Sequence, residues 1–387
     1  MSPAAPVDTP ASAGTEHGGQ TASVDRLALH NVRRWSDAVI EPAGGLTVVT
    51  GPNGAGKTTV LEAIAYLASR RSFRGVPNAA LVRQGAGEAA IRGEWRVGRR
   101  SLLLEASLKP VGRDRFLVNR QPLRTTAELA GLVAVSVFSP DDLALVKDGP
   151  ALRRGWIDGV VAMASARGAA LLADLDRILR QRGALLRRLA PCRPADIDDD
   201  ARRTLDVWDA KLADVATSVA TMRTRALVDV GPAVATAYHD LAERSGRIDV
   251  SYTPMWGDAD LAGALRDAYP DELRRGTNLV GPHRDDIELS IGGLAARTHA
   301  SQGEQRSLAL AMRLAAHRYL ATEHGTGPVL LLDDVFSELD AERGAALVDH
   351  LPAGQTILTT TGPPPPGTIP ERVIRVADGA VMSVEDR

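Results

Sequence analysis

The segment Gly51-Pro52-Asn53-Gly54-Ala55-Gly56-Lys57-Thr58 constrains the fold of this 387-residue chain more than any other. It fits the phosphate-binding pattern GxxxxGK(S/T) at every fixed position. Residues 46–50 before it form a β-branched run that reads as a buried strand, and residues 58–67 after it read as a helix. A glycine-rich turn between strand and helix is the setting such a loop needs, so the chain is expected to be an α/β protein. Gly51, Gly54 and Gly56 let the backbone turn tightly and aim several N–H groups at one point. The positive end of the following helix adds to that attraction for an anion. Lys57 would reach the β- and γ-phosphates of a nucleotide, and the Thr58 hydroxyl would ligate Mg²⁺. Pro52, Asn53, Ala55 and Thr59 belong to the same cradle.

A matching second half lies far downstream. Ser301-Gln302-Gly303-Glu304 opens a long amphipathic helix carrying Leu308, Leu310, Met312 and Leu314. Ser301 reads as its N-cap, and Gly303 permits close approach of a ligand. A serine hydroxyl with helix N-terminal amides makes a second γ-phosphate receptor. Beyond it, an apolar strand starting near Pro328 ends in Asp333 and Asp334. Asp333 would hold Mg²⁺ through its water shell, and Asp334 stands where a carboxylate polarises the attacking water. A phosphate loop and such a helix on one chain cannot both reach one nucleotide, so a dimer is expected to complete the site.

Around these motifs the chain divides into four stretches. Residues 1–24 are rich in Pro, Ala, Gly, Ser and Thr and read as a disordered tail, without the basic start and apolar core of a signal peptide. Residues 25–158 hold the N-terminal part of the ATPase lobe. It includes a loop at Arg33 and Trp35, a basic cluster at residues 70–74 and an antiparallel meander over 88–120. Residues 159–275 read as a second, mainly helical lobe. Leu205, Trp208, Leu212, Val215, Val219, Met222 and Ala226 repeat at coiled-coil spacing, and Leu171, Leu175, Ile178, Leu185 and Leu189 give a similar stripe. With Pro191 and Pro194 between them, these predict a short antiparallel helical hairpin ended by Gly231-Pro232. Arg177, Arg180, Arg182, Arg187 and Arg188 are placed on its outer faces. Residues 276–387 return to the ATPase lobe.

Net charge is −2, so nucleic-acid binding would need a local basic face. No apolar run reaches the ~18 residues of a membrane span. The single cysteine, Cys192, excludes an internal disulfide and fits a reducing cytoplasm.

Together these residues resemble the RecF family of ATP-binding-cassette (ABC) ATPases. The resemblance is carried by GPNGAGKT at 51–58, RSFR at 71–74, FSPDDLALVK at 138–147, GPHRDD at 281–286, SQGEQR at 301–306 and LLLDDVFSELD at 330–340. It implies an ABC-type P-loop ATPase head and a homodimer that forms on ATP. In that dimer the phosphate loop and Asp333–Asp334 of one subunit face Ser301–Arg306 of the other, with ATP and Mg²⁺ between. It places Arg33 and Trp35 near the adenine and ribose. It further implies binding to double-stranded DNA bearing single-strand gaps, recombinase loading with RecR and RecO at gaps and stalled forks, and support of replication and the SOS response. A weak DNA-stimulated ATPase would drive dimer release. Ser139-Pro140-Asp141 stands where many such ATPases carry a glutamine, Asp334 where most carry a glutamate, and Thr359 or Thr360 where a switch histidine is common. Two rivals remain, an ATP-gated scaffold with negligible hydrolysis and a transporter's nucleotide-binding subunit, which would need a membrane partner.

Overall fold

The computed structural model describes residues 20–190, 197–242, 246–257 and 260–387. Residues 1–19 of the expected tail, and Pro191, Cys192 and Pro194, lie outside them. The strands in chain order are β1 (Gln20–Val32), β2 (Trp35–Ile40), β3 (Leu46–Thr50), β4 (Ala89–Val97), β5 (Arg100–Leu108), β6 (Arg115–Val118), β7 (Gln121–Pro122) and β8 (Val135–Phe138). After them come β9 (Ile248–Thr253), β10 (Asp286–Ile291), β11 (Leu294–Ala295), β12 (Thr326–Gly327), β13 (Val329–Asp333), β14 (Thr356–Thr360), β15 (Arg372–Ala377) and β16 (Ala380–Asp386). The helices are α1 (Lys57–Ser69), α2 (Leu143–Lys147), α3 (Pro150–Ala164), α4 (Ala166–Leu189), α5 (Asp199–Leu241), α6 (Leu261–Arg275), α7 (Ala296–His299), α8 (Gln302–His324) and α9 (Ala341–Asp349).

A six-stranded sheet in the order β16-β15-β3-β14-β13-β8 forms the centre, parallel except for β16. Side chains alternate along its strands, so each strand serves two cores. Val49, Leu331, Ile357 and Ile374 face α1 and the inner side of the antiparallel sheet built on β1, β4 and β5. Val48, Leu330, Leu332, Leu358 and Val373 face α8, α3 and the second half of α5. Helix α1 is therefore buried on almost every side, which its apolar, alanine-rich sequence permits. Strand β1 begins at Gln20, so residues 20–24 are sheet rather than tail.

Pro232 does not end the hairpin, because α5 runs through it to Leu241. An interior proline costs roughly 3 kcal/mol. Burial of Val230, Val234, Leu241 and Tyr238 in the core shared with α8 outweighs that, at about 1.5–3 kcal/mol for each aliphatic side chain. The hairpin is also not a pair alone: α6 closes it through Leu261, Leu265 and Leu273. Strand β9 pairs with β10, so the helical part shares a sheet with residues beyond 275 instead of separating there. Arg182 is fully buried, not on an outer face. It falls on the apolar stripe between Ile178 and Leu186, and donates to Asp209, Glu272 and Asn278 at 2.6, 2.6 and 2.8 Å. The segment Gly281–Asp286 is likewise structural. Buried Asp285 accepts from the Met255 amide at 3.0 Å and faces Arg223 at 3.4 Å, while Asp286 takes two bonds from Arg153 at 3.0 Å.

His317 of α8 sits at the centre of this packing, with an Nδ1 that is buried and unpartnered among the described residues. Burial, helped by the Arg318 charge, lowers its pKa from 6.5 to about 4. The unfolded chain takes up the proton first, so stability is full above pH 6.5 and lost as pH falls toward 4. The gap corresponds to about 3 kcal/mol. Urea midpoints of wild type should drop across this range, and those of His317→Leu should drop less; parallel curves would contradict the assignment.

Candidate functional site

Residues 51–56 leave the carboxyl end of β3 and enter α1, and close backbone approaches shape them. A Cβ on Gly51 would lie 2.1 Å from the Val376 carbonyl oxygen, and one on Gly56, at φ +104°, 2.6 Å from Trp35 Nε1. Only glycine tolerates either contact. The fully buried Trp35 indole donates to the Gly56 carbonyl at 3.1 Å, and the Gly379 amide donates to the Ala55 carbonyl at 3.1 Å. An indole thus supports the loop from below and the β15–β16 turn from the side. Trp35, expected near the adenine and ribose, is buried against Gly56 in the structure. The Lys57 ammonium donates to the Gly51 and Pro52 carbonyls at 2.8 and 3.0 Å. Burial lowers its pKa, opposed by the charges of Asp334 and Asp333.

Asp333, at the end of β13, meets Thr58 across the site. Its Oδ1 accepts from the Thr58 hydroxyl at 2.9 Å and from the Thr359 hydroxyl at 2.8 Å. Burial pushes its pKa up, against those two bonds and the nearby Arg74 charge. A desolvated carboxylate beside a hydroxyl is a hard-oxygen pair that suits Mg²⁺. No group of three or more His, Cys, Asp or Glu among the described residues is placed to hold a metal. The remaining ligands would come from phosphate and water, the usual arrangement for Mg²⁺.

Asp334 follows at φ 50°, a left-handed conformation uncommon for a non-glycine residue. It is pinned on both sides: its N–H donates to Thr359 Oγ1 at 3.0 Å and its carbonyl accepts from Ser337 Oγ at 2.7 Å. Thr359, offered with Thr360 as a stand-in for a switch histidine, is buried and serves the two acids instead. The isosteric Thr359→Val removes a donor from Asp333 and an acceptor from the Asp334 amide. It should cost about 1–3 kcal/mol of stability and lower kcat more than ATP affinity. Steady-state kinetics with a thermal melt checks this, and an unchanged kcat would refute it.

Ser301 caps α8 reciprocally: the Glu304 amide donates to Ser301 Oγ at 3.3 Å, and the Ser301 amide donates to the Glu304 carboxylate at 2.8 Å. Gln302 is exposed beside it. A Cβ on Gly303 would stand 2.8 Å from Arg343 Nη2. Arg343 pairs with Asp340 and donates to Ser307 Oγ at 3.1 Å, while Arg306 pairs with Glu338 at 2.8 Å. The start of α8 and the turn after β13 therefore form one unit. Asp142 accepts from Arg313 Nε and Nη2 at 3.1 and 2.6 Å, latching the 139–142 loop to α8, while Asp141 faces solvent.

Helix α8 leads back through β12 into β13, so it runs against the parallel strands and starts at their carboxyl side. Its 23 residues span about 34 Å, against about 17 Å for the five of β13. Ser301 therefore opens α8 on the carboxyl side of the strands, the side that carries the phosphate loop. That loop lies on β3, with β14 intervening before β13.

Arg33 is committed elsewhere than expected. Its guanidinium donates at 2.9 Å to Glu62, which is fully buried in α1. Arg34, which no motif singles out, takes the loop side: its guanidinium carbon lies 3.7 Å from the position of a Cβ on Gly54. The clue in the sequence is only the pair of arginines before Trp35, where a turn must reorient one of them.

A phosphate loop, an acid pair one strand beyond its neighbour and a capped helix, with an antiparallel sheet laid over α1, define an ABC-type P-loop ATPase head. The chain belongs to the RecF/RecN/SMC N-terminal domain family, whose model matches residues 23–361. It is 39% identical over 349 residues to the DNA replication and repair protein RecF of Frankia alni, covering 86% of this chain and 92% of that one. Identity to the RecF of Streptomyces avermitilis is 37%, over 93% of this chain and all of the relative. A solved structure of the recombination mediator RecF with ATP superposes with a TM-score of 0.86 at 26% identity, covering 96% of this chain and 99% of that one. The Smc head of Pyrococcus furiosus shares the fold at a TM-score of 0.53 and 14% identity.

Proposed function

We propose that this protein is an ATP-gated DNA-binding protein of recombinational repair. The observation that carries the reading is the division of the site between elements: loop, lysine and acid pair at the ends of β3 and β13, and a serine-capped helix start on α8. ATP would lie on the loop, with Mg²⁺ held by Thr58 and Asp333 and water addressed by Asp334. A second copy would present Ser301, Gln302, Gly303 and Glu304 to the γ-phosphate, making the nucleotide the glue of a homodimer. The relatives are named for DNA replication and repair, and the ATP-bound neighbour is described as a mediator in the RecFOR pathway. The reading extends to double-stranded and gapped DNA as ligand, RecR and RecO as partners and the cytoplasm as compartment. Among the described residues no helix is long and apolar enough to cross a membrane.

The test is binding to labelled gapped duplex with and without ATP·Mg²⁺, at two salt concentrations, for wild type and Lys57→Arg. Binding should require ATP, weaken steeply with salt because phosphates are being neutralised, and vanish in the variant. Binding indifferent to ATP would overturn the gating. A scaffold with negligible hydrolysis is a second reading, favoured by the short acid at Asp334 on a pinned backbone. Turnover measured with and without DNA decides between the two.

A further inference from the structure

We propose that Arg343 is a positioning residue for ATP turnover: it seats the start of α8 on the turn after β13, so that one chain can present Ser301–Glu304 to the nucleotide held by its partner. This rests on the two-chain site and adds to it a residue beyond the 330–340 segment.

Arg343 lies in the first turn of α9, and its side chain is held from three directions. The guanidinium pairs with Asp340, the N-cap of the same helix, whose carboxylate also accepts from the Arg343 amide at 2.9 Å. Nε donates at 3.1 Å to the hydroxyl of Ser307, a fully buried residue in the second turn of α8. The guanidinium also covers Gly303: Nη2, Cζ and Nη1 lie 2.8, 3.1 and 3.4 Å from the position of a Cβ there. The missing side chain at 303 thus makes room for an arginine of the same chain, as well as for any ligand. An alanine would press on a guanidinium that Asp340 and Ser307 hold in place.

Two other ties reach the start of α8. Gln305 donates to the Ala296 and Arg297 carbonyls at 3.1 Å, fixing it to the segment before. Arg306 pairs with Glu338 in the turn after β13, but both side chains are partly exposed, and such a pair contributes little. Arg343 adds a bond between that turn and a buried hydroxyl of the helix. The turn itself begins at the acid pair, where Ser337 Oγ donates to the Asp334 carbonyl. A helix start that must meet a phosphate on another chain has to be held to within about 0.5 Å. The planar guanidinium does this from separate nitrogens, reaching Asp340 and Ser307 at once, which a single ammonium matches only in part.

The test is ATP turnover and ATP-driven dimerisation of full-length Arg343→Ala and Arg343→Lys, alone and mixed in equal amounts with Lys57→Ala or Ser301→Arg. Arg343→Ala should bind ATP as a single chain within about twofold of wild type and lose turnover on the order of tenfold. Arg343→Lys should recover part of that loss. If Arg343 acts through the α8 of its own chain, the phosphate loop of Arg343→Ala is sound. Mixed with Lys57→Ala, whose helix start is intact, it should turn over faster than either protein alone; mixed with Ser301→Arg, it should gain nothing. Recovery with Ser301→Arg would overturn the proposal by placing the defect at the acid pair of the same chain. Recovery with neither partner, or wild-type turnover in Arg343→Ala, would overturn it as well. Wild type that fails to dimerise on ATP would overturn the two-chain site and this inference together.

Discussion

Asp333→Asn should abolish hydrolysis while leaving the nucleotide-free protein as stable as wild type or more so. The two effects separate because the buried carboxylate works against folding and for chemistry. Its Oδ1 accepts two hydroxyl bonds, from Thr58 and Thr359, and an asparagine oxygen can accept the same pair. What the substitution removes is the charge, whose burial raises the pKa. The sign follows from linkage: a carboxyl with a raised folded pKa binds its proton more tightly in the folded state. Stability therefore falls as pH climbs through the carboxylate range, and wild type carries that penalty at neutral pH. The asparagine carries none. Loss of the carboxylate also removes the anionic ligand for Mg²⁺. Metal stabilisation of the reacting phosphate is worth several kcal/mol, so turnover should fall by roughly 10³-fold. Melting without nucleotide, then with ATP·Mg²⁺, reads both halves. Wild type should gain stability from the ligand by mass action and the variant should gain much less. A variant that turns over at the wild-type rate would refute the metal assignment; one that melts well below wild type would refute the charge argument.

The parts of this site that were legible in the sequence are those written in contiguous residues. The phosphate loop, the 301–306 helix start and the 330–340 strand and turn each place their chemistry within one element, so a linear pattern suffices. What was not legible depends on neighbours distant in the chain. Arg182 has the residue type of a solvated face yet sits on the apolar stripe of α4, and only Asp209, Glu272 and Asn278, brought in from α5, α6 and the segment after it, make its burial tolerable. Pro232 carries a local stop signal that packing against α8 overrides. Thr359 looks like a residue at a strand end facing a phosphate, but the parallel register sets it opposite Asp333 and turns its hydroxyl to that acid. Arg33 has a left-handed φ and turns its side chain to Glu62, which nothing in the identity of an arginine announces.

Ser301→Arg should leave ATP binding to the single chain intact and abolish ATP-driven dimerisation. Ser301 is exposed, and its hydroxyl is engaged with Glu304 at the start of its own helix. Losing that cap costs about 1 kcal/mol. The buried side of α8, including Leu308, Ala311, Met312 and Ala315, is untouched, so the protein should fold. The phosphate loop follows β3, with β14 between it and β13, and its affinity for ATP should change by less than about twofold. On a partner's nucleotide, by contrast, the arginine would occupy the place of a small hydroxyl and of the amides behind it. Mixing two defective chains makes the argument decisive. Lys57→Ala loses the loop but keeps the helix start; Ser301→Arg keeps the loop but loses the helix start. In a mixed dimer the intact loop of one meets the intact helix start of the other, giving one sound site and one doubly damaged site. ATP-dependent dimers and a fraction of wild-type turnover should then reappear on mixing two proteins that show neither alone. If each chain completed its own site, no mixture of the two could recover activity, and Ser301→Arg would impair hydrolysis without regard to the partner supplied.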